Sequence, residues 1–322
     1  MARKAQGYGI LGEITALLKD VPLGNRRTQI GLELRKAWFY NKCLFNSEVW
    51  NGISDTDIKD LSIIDRKILR VITGSQAKVP IEMLYLETSQ IPIPHILSIR
   101  RILYWHTLLK RPREELTSQI YYAMKESPLK GDWINLLKED LEKIDLSLDD
   151  EELARGDTNF TFKKKIKQKM RNLSIMELEI IKSSHDKVRH IVHYEPNKPQ
   201  SYLTSSEFSN SQKSILFNLR SSCDNNFRDN FHNMNQSNLC QLCKIDADSQ
   251  EHALTCTVIS KHLSNEDNDI KSNVKYSDLF EDLTSQLKIV KIYQNIIRIK
   301  KRLLASVDPP VAYPGTNSGP CG

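Results

Sequence analysis

The segment 238–260, NLCQLCKIDADSQEHALTCTVIS, contains four metal-ligand side chains at fixed spacing. Two cysteines form a CxxC turn, and a histidine and a third cysteine follow four apart, which places them on one face if the segment is helical. Three thiolates and one imidazole make a closed tetrahedral shell, which is typical of a structural zinc site, because a catalytic zinc keeps one position for water. The segment therefore predicts a small Cys3His zinc knuckle with structural zinc as its cofactor, held by Cys240, Cys243, His252 and Cys256.

Two other interpretations of this segment are chance clustering and disulfide pairing. The chain has six Cys and eight His, but two ligand pairs at zinc-like spacing in one short polar stretch are more specific than scattered residues. Residues 1–20 lack the long apolar core of a signal peptide, so we expect a reducing intracellular location, nuclear or cytoplasmic. Metal binding is favoured over a disulfide there. The sequence leaves open whether zinc only folds its segment or also creates a nucleic-acid contact.

The composition is that of a soluble folded protein, with 39% hydrophobic and 27% charged residues over 322 positions. No uninterrupted apolar run approaches the length of a membrane span, so we expect no membrane partner. The formal net charge of +6 and the pI near 8.8 permit a polyanionic partner without requiring one. Only 12 glycines and few alternating runs argue against a sheet-rich fold or a glycine-loop enzyme.

Apolar residues recur at helical spacing along almost the whole chain, which predicts an all-α fold. A clear example starts at Ser54, a predicted helix cap, after which apolar residues from Ile58 to Leu69 share one face until Gly74 ends the helix. Shifts in composition divide the chain into regions at 1–75, at 76–194 with an acidic elbow at 145–159, at 195–265 (linker plus zinc module), at 266–305 (terminal helix pair) and at 306–322 (disordered tail).

Two basic stretches are candidate nucleic-acid contacts. The segment 162–171, FKKKIKQKMR, has six positive side chains within nine residues, enough to neutralise several phosphates without reading sequence. The alternative is a solvated helix face that pairs with the acidic elbow. A second group combines two arginines with Tyr104 and Trp105, which suits stacking on bases, although a large aromatic at this spacing is more often core. The predicted contacts are Arg100, Arg101, Lys163, Lys164, Lys165, Lys167, Lys169 and Arg171.

Three further charged groups are weaker candidates. One group that is placed to follow a duplex backbone comprises Arg26, Arg27, Arg35 and Lys36. A basic cluster at 298–302 stands near the end of the last helix, where cations are favourable on dipole grounds alone. His185, His190 and His193, together with Asp186, favour a surface cluster, because there is no nearby cysteine and no flanking carboxylate at the set spacing of a metal site.

The chain resembles the C-terminal part of a non-LTR (LINE-type) retrotransposon reverse transcriptase over roughly residues 7–305. The CxxC-x8-HxxxC run resembles the zinc knuckle that closes many such polyproteins. The resemblance implies a thumb-like region at 1–75 and a helical connector at 76–194. Other matching stretches are GYGILGEITALLKDVPLG at 7–24, CLFNSEVWNGIS at 43–54, IDRKILR at 64–70, PIEMLYLETSQIPI at 80–93 and RRILYWHTLL at 100–109.

The resemblance implies nucleic-acid binding without catalysis. A polymerase of this type needs palm carboxylates that hold two metal ions. The matching segment would precede Gly7, and no Tyr-x-Asp-Asp occurs in the chain. We therefore expect an auxiliary fragment that binds RNA template or target DNA, is not itself an enzyme, and has a separate reverse transcriptase catalytic half as a further partner. The competing hypothesis is a helical protein-interaction module, or an inert retroelement remnant, with a purely structural zinc.

Overall fold

The segment 54–74 shows how local sequence forms the helices of this chain. In the computed structural model, α4 (Asp55–Thr73) begins after Ser54, whose hydroxyl oxygen accepts the backbone N–H of Asp57 at 3.1 Å. The helix ends at Gly74, which has a φ of +65°, in the left-handed region that favours glycine. Of the predicted apolar face of α4, Leu61, Ile64, Ile68 and Leu69 are buried and Ile58 is half-buried. The cap, the face and the end of this helix all agree with the prediction.

The structure describes residues 2–20, 26–51, 53–185, 188, 197–227 and 238–307. Within these ranges the only strand-like pairing is a single antiparallel bridge between Leu239 and Ala247, so the predicted all-α fold is confirmed. The predicted disordered tail at 306–322 lies almost wholly outside the described residues. Among the helices of the described ranges, none combines the length and the apolar character that crossing a membrane requires.

The chain forms two units, Met1–Phe217 and Asn218–Gly322. In the first unit a π-helical turn at Arg35–Tyr40 joins α2 to α3, and a 3₁₀ turn at Ser47–Val49 follows. The helices of this unit, besides α4, are α1 (Ala2–Asp20), α2 (Arg27–Leu34), α3 (Asn41–Cys43), α5 (Ile81–Thr88), α6 (Ile93–Leu109), α7 (Leu116–Glu126), α8 (Trp133–Glu142), α9 (Glu151–Gly156), α10 (Asn159–Ser183), α11 (Ser201–Thr204) and α12 (Asn210–Arg220), the last of which contains the division.

The second unit is built on its long last helix. A 3₁₀ turn at Tyr276–Phe280 packs on that helix and buries Leu279, and the helix itself buries Ile289, Tyr293 and Ile296. The predicted terminal helix pair therefore includes a third, short element between its two helices. The α-helices are α13 (Gln250–Thr255), α14 (Thr257–Ser260), α15 (Asn265–Asn273) and α16 (Leu283–Val307).

The core of the first unit surrounds α6, which packs against α4, α8 and α10. Trp105 is fully buried in this core, and its indole N–H donates to the hydroxyl of Tyr121 at 2.9 Å. Trp105 is therefore a core residue and does not stack on bases. Because α4 and α6 are in direct contact, the predicted regions 1–75 and 76–194 are parts of one unit.

A fully buried ion pair joins three elements of the first unit. Arg35, in the π-helical turn, donates to both carboxylate oxygens of Asp65 on α4, at 2.6 and 2.8 Å. The hydroxyl of Tyr85 on α5 donates to the same carboxylate at 3.0 Å, and Arg35 also donates to the side-chain oxygen of Gln90 at 2.8 Å. The prediction that Arg35 follows a duplex backbone is therefore wrong, because its guanidinium is fixed in the core.

The predicted elbow and linker are both ordered. In the elbow, α9 carries Glu151, whose carboxylate accepts from Lys125 at 2.9 Å. In the linker, α11 buries Tyr202, whose hydroxyl donates to Glu87 at 2.8 Å. Because α11 packs on α2, residues 201–217 are part of the first unit, and the division falls after the predicted linker at 195–213.

We expect Asp65→Asn to lower the free energy of unfolding by about 3–5 kcal/mol, because Arg35 would stay buried without a charged partner. Tryptophan fluorescence in a urea titration measures this change specifically, since Trp38, Trp50, Trp105 and Trp133 all lie in the first unit. The control is Glu33→Gln, which removes the exposed partner of Lys36 and should cost less than about 1 kcal/mol. Equal losses in the two variants would contradict the role of the buried pair.

Candidate metal centre and nucleic-acid interface

The four predicted metal ligands converge in the second unit. The ligand atoms of Cys240, Cys243, His252 and Cys256 all lie within 4.8 Å of one another. Ligands of a tetrahedral ion bound at about 2.0–2.3 Å stand roughly 3.8 Å apart at most, so closing by about 1 Å at the widest pair gives a filled site. The sulfur of Cys243 is already 3.3 Å from Nε2 of His252. These residues form a Cys3His group that can hold a metal ion.

A tight backbone turn places the first two cysteines. The N–H of Cys240 donates to the carbonyl of Asp246 at 2.7 Å, and the N–H of Lys244 donates back to the carbonyl of Cys240 at 2.8 Å. Lys244 has a φ of +58°, which reverses the chain inside the turn. The backbone N–H groups of Ile245 and Asp246 consequently hydrogen-bond to the sulfur of Cys243. The turn thus supplies donors that stabilise a thiolate.

The other two ligands come from α13 and the residue that follows it. Ser249 caps this helix by accepting the N–H of His252 at 3.0 Å. The N–H of Cys256 donates to the carbonyl of His252 at 2.8 Å, which keeps the two ligands one turn apart. Nδ1 of His252 is 3.2 Å from the Asp246 carboxylate. A proton on Nδ1 therefore leaves the lone pair of Nε2 for a metal, the usual arrangement of a histidine ligand whose other ring nitrogen donates to a carboxylate.

The local environment separates the acidities of the CxxC thiols. Burial raises the pKa of Cys240 to about 11. Burial also acts to raise the pKa of Cys243, but hydrogen bonds from the N–H groups of Ile245 and Asp246, together with contacts to Cys240 and His252, lower that pKa to about 7. The turn therefore favours the thiolate form of Cys243. A bound divalent cation would deprotonate the remaining thiols.

Buried polar contacts attach the metal-binding segment to α16. Lys300 is 2% exposed and its ammonium lies 2.5 Å from the carboxylate of Asp248. The hydroxyl of Tyr293 donates to the carbonyl of Gln250 at 2.7 Å. Lys300 belongs to the predicted basic cluster at 298–302. Because its ammonium is buried against Asp248, at the start of α13, it is not one of the exposed cations of that cluster.

The basic run on α10 divides into two groups around a buried stripe of Phe162, Ile166 and Met170. On one side, Lys165 pairs with Asp157 at 2.9 Å, and Lys169 donates to the carbonyl of Ile144 at 2.7 Å. The other side carries Lys163, Lys164 and Lys167, which are exposed and form no hydrogen bond or ion pair within the described residues. The six predicted contacts therefore do not form one face.

The unpaired lysines stand among other cations. Partial burial, together with the positive charges of Lys163, Lys36 and Arg171, lowers the pKa of Lys167. Arg171 is half-buried and donates to the backbone and hydroxyl oxygens of Ser89 at 3.1 and 2.7 Å. We call Lys163, Lys164 and Lys167, with Lys36 beside them, the α10 basic surface. Arg171 flanks this surface and is fixed to the core.

The two predicted arginines of α6 have structural positions. Arg101 is 6% exposed and forms a buried ion pair with Asp140, which also accepts the hydroxyl of Ser98. Arg100 is half-buried and donates to the carbonyl of Leu44. The prediction that Arg101 contacts nucleic acid is wrong, because its guanidinium is enclosed and paired. Arg100 is directed to the segment between α3 and the 3₁₀ turn at Ser47–Val49.

A cleft of about 650 Å³ in the first unit is lined by the Arg101–Asp140 pair and by His95. Burial lowers the pKa of His95, although Glu177, at 2.8 Å from its Nε2, acts in the opposite direction. His185 lies 3.4 Å from Glu82, and the other two predicted histidines, His190 and His193, lie outside the described residues. Within the cleft, His95 and Arg101 thus pair with Glu177 and Asp140, respectively.

Comparisons of the chain with protein-family models, with curated proteins and with solved structures found no match.

We expect Cys243→Ser to weaken metal binding by more than about 100-fold, because it removes a ligand and not only an outer partner. Metal content after gel filtration measures this weakening, and proteolysis should become faster within 238–260. The tryptophan unfolding curve should not change, since all four tryptophans lie in the first unit. Cys223→Ser, outside the cluster, is the control. Full metal content in Cys243→Ser would remove that residue from the site.

We expect Asp246→Ala to weaken zinc affinity by about 10- to 100-fold, because His252 would lose the carboxylate that orients its ring. Competition with a chromophoric chelator gives the affinity. Asp269→Ala removes another exposed acid of the same unit and should leave the affinity unchanged. If the two variants bind zinc equally, the contact between Asp246 and His252 has no role in metal binding.

Proposed function

We propose that this protein is an auxiliary nucleic-acid-binding protein, which holds RNA template or target DNA by its phosphates through the α10 basic surface. The observation that carries the proposal is the set of three exposed lysines, Lys163, Lys164 and Lys167, that no carboxylate of the described residues neutralises. Such a surface binds polyanions without reading sequence, and its affinity falls with salt.

Crowding of like charges supports this proposal. Lys36, from another element, acts on Lys167 through its charge, and its only described carboxylate partner is the exposed Glu33, at 2.9 Å. Its charge and that of Lys163 make the protonated form of Lys167 less favourable. A phosphate placed among these ammonium groups relieves the repulsion, and counterion release adds to the affinity.

The contacts of the acidic elbow at 145–159 disfavour the alternative, in which its carboxylates would neutralise the basic face of α10. Glu151 and Asp149 both lie near Lys125, at 2.9 and 3.9 Å, and not near the basic run. Asp157 does reach the run, but it pairs with Lys165 on the opposite side from the α10 basic surface. The elbow therefore leaves that surface with its positive charge.

We also propose that the ion of the Cys3His group is zinc and that its role is structural. Three sulfurs and one imidazole favour zinc among common divalent ions, and a complete protein shell leaves no position for water or substrate. Cys240 and Cys256 are each 1% exposed, so an ion there is enclosed. The metal would stabilise the turn 238–248 against α13, a segment with few apolar residues of its own.

The resemblance to the C-terminal part of a non-LTR reverse transcriptase supports the same role. In that family the corresponding region is helical and includes a zinc knuckle, as the matching stretches imply. We propose that residues 1–322 contribute binding and positioning and that the polymerase carboxylates and their metal ions are not among them. Under this proposal residues 1–322 bind template or target but do not by themselves extend a primer.

We expect Lys163→Gln/Lys167→Gln to weaken binding to labelled RNA, single-stranded DNA and duplex DNA alike. The slope of log affinity against log salt should become shallower by about 0.7–0.9 for each phosphate that the protein no longer neutralises. Fluorescence anisotropy over a salt series measures both quantities. The matched control is Lys165→Gln/Lys169→Gln, which removes the same charge from the other side of the same helix.

Equal weakening by both double variants would show that net charge alone matters and would remove the α10 basic surface from the interface. Failure of the unmodified protein to bind any of the three nucleic acids at low salt would overturn the proposed function. A helical interaction module with a structural metal would then be the better hypothesis.

A further inference from the structure

An exposed phenylalanine begins the helix that carries the α10 basic surface. Phe160 is the second residue of α10 and is 78% exposed, more than any other large apolar side chain that the structure describes. Thr158 caps the helix by accepting the N–H of Thr161 at 3.1 Å, so the cap does not require an aromatic side chain at Phe160. Within the described residues its ring packs on no other aromatic ring and lies under no cation.

Helix geometry places Phe160 on the same side as the unpaired lysines. Lys163 and Lys164 follow it by three and four residues, and Lys167 follows Lys163 by four, so neighbouring members of this set are surface neighbours. The set spans about 10 Å along the axis at 1.5 Å per residue. Phe162, between them in sequence, points into the core instead. Phe160 therefore places one aromatic ring at the end of a row of three ammonium groups.

We propose that Phe160 is a stacking platform for an unpaired base of a single-stranded nucleic acid whose phosphates lie along Lys163, Lys164 and Lys167. This inference rests on the proposed function and specifies its ligand. An aromatic face accepts any base, whereas a row of cations follows the backbone, and the two together are the elements of sequence-tolerant single-strand binding. Bases inside a duplex are already stacked and cannot lie on the ring, so the site prefers single-stranded RNA or DNA to duplex.

The surrounding charge argues against other occupants of this face. An apolar protein surface would have to cover three ammonium groups, and burial of unpaired cations is costly. Exposed single apolar side chains are common and need no partner by themselves. The position of Phe160 within reach of three unneutralised lysines is what distinguishes it from Ile180, which is 64% exposed on the same helix but about 30 Å further along.

The test compares Phe160→Leu with the unmodified protein on poly(U) RNA, oligo(dT) and a hairpin duplex. We expect affinity to fall by about 5- to 100-fold for both single strands, because a leucine side chain covers a base without stacking on it. Duplex affinity should stay within about twofold, since a duplex offers the ring no unpaired base. Phe160→Tyr should restore single-strand affinity, and Ile180→Ala is the control for removal of an exposed apolar side chain from α10. A 2-aminopurine base in the single strand should be quenched by the unmodified protein and not by Phe160→Leu.

Each outcome separates the inference from the proposed function. Unchanged single-strand affinity and unchanged quenching in Phe160→Leu would overturn the stacking site, while a salt-dependent effect of Lys163→Gln/Lys167→Gln would leave nucleic-acid binding intact. An equal fall in affinity for duplex and for single strands would also overturn it, because stacking on the ring requires an unpaired base. If the unmodified protein binds none of the probes, both the site and the function are wrong.

Discussion

The central constraint on this structure is that a cation taken out of water must be given oxygen partners within the protein. Carboxylates supply them in three pairs whose two members are both buried, Arg35–Asp65 and Arg101–Asp140 in the first unit and Lys300–Asp248 in the second, whereas the ammonium of Lys271 donates to the carbonyl of Cys256 and to the hydroxyl of Ser260. Each pair joins two elements that are distant in sequence. The Arg35–Asp65 pair holds the π-helical turn against α4, and Lys300 holds the entry to α13. Buried charge therefore organises both units.

The same constraint decides which cations of a basic chain can meet a partner. A net charge of +6 does not say where the excess lies. Three cations of the α10 run already have partners within the protein: Lys165 pairs with Asp157, and Lys169 and Arg171 donate to the backbone carbonyls of Ile144 and Ser89. What remains of the run on α10 is Lys163, Lys164 and Lys167, which form a smaller set than the run in the sequence. A surface that retains its charge after all internal pairing is a better candidate for phosphate than a run of lysines counted in sequence.

Local features of the fold are predictable from the sequence, and long-range pairings are not. The cap at Ser54 and the end at Gly74 depend on residues within one turn, and the metal ligands depend on spacing within 17 residues. Arg101 and Asp140 stand 39 positions apart, so no sequence pattern links them, and spacing alone assigns Arg101 to the surface. The exposure of Phe160 is not predictable from the sequence, because the 3.6-residue period does not by itself say which side of a helix faces the core. The structure shows that side of α10, because Phe162, Ile166 and Met170 are buried.

The Cys3His group and the α10 basic surface differ in their electrostatics and in their structural role. The segment 238–248 has one backbone bridge and a turn with a left-handed residue. Its further stabilisation comes from the Cys3His group and from the contact between Asp248 and Lys300 of α16. The exposed charges there are of both signs, because Lys244 and Asp246 are both exposed and the Asp246 carboxylate lies beside His252. A phosphate at the cluster would therefore meet a carboxylate as well as an ammonium group. Under the proposed function, the α10 basic surface, whose lysines at 163, 164 and 167 have no carboxylate partner among the described residues, is the better phosphate site, and a metal would stabilise the second unit.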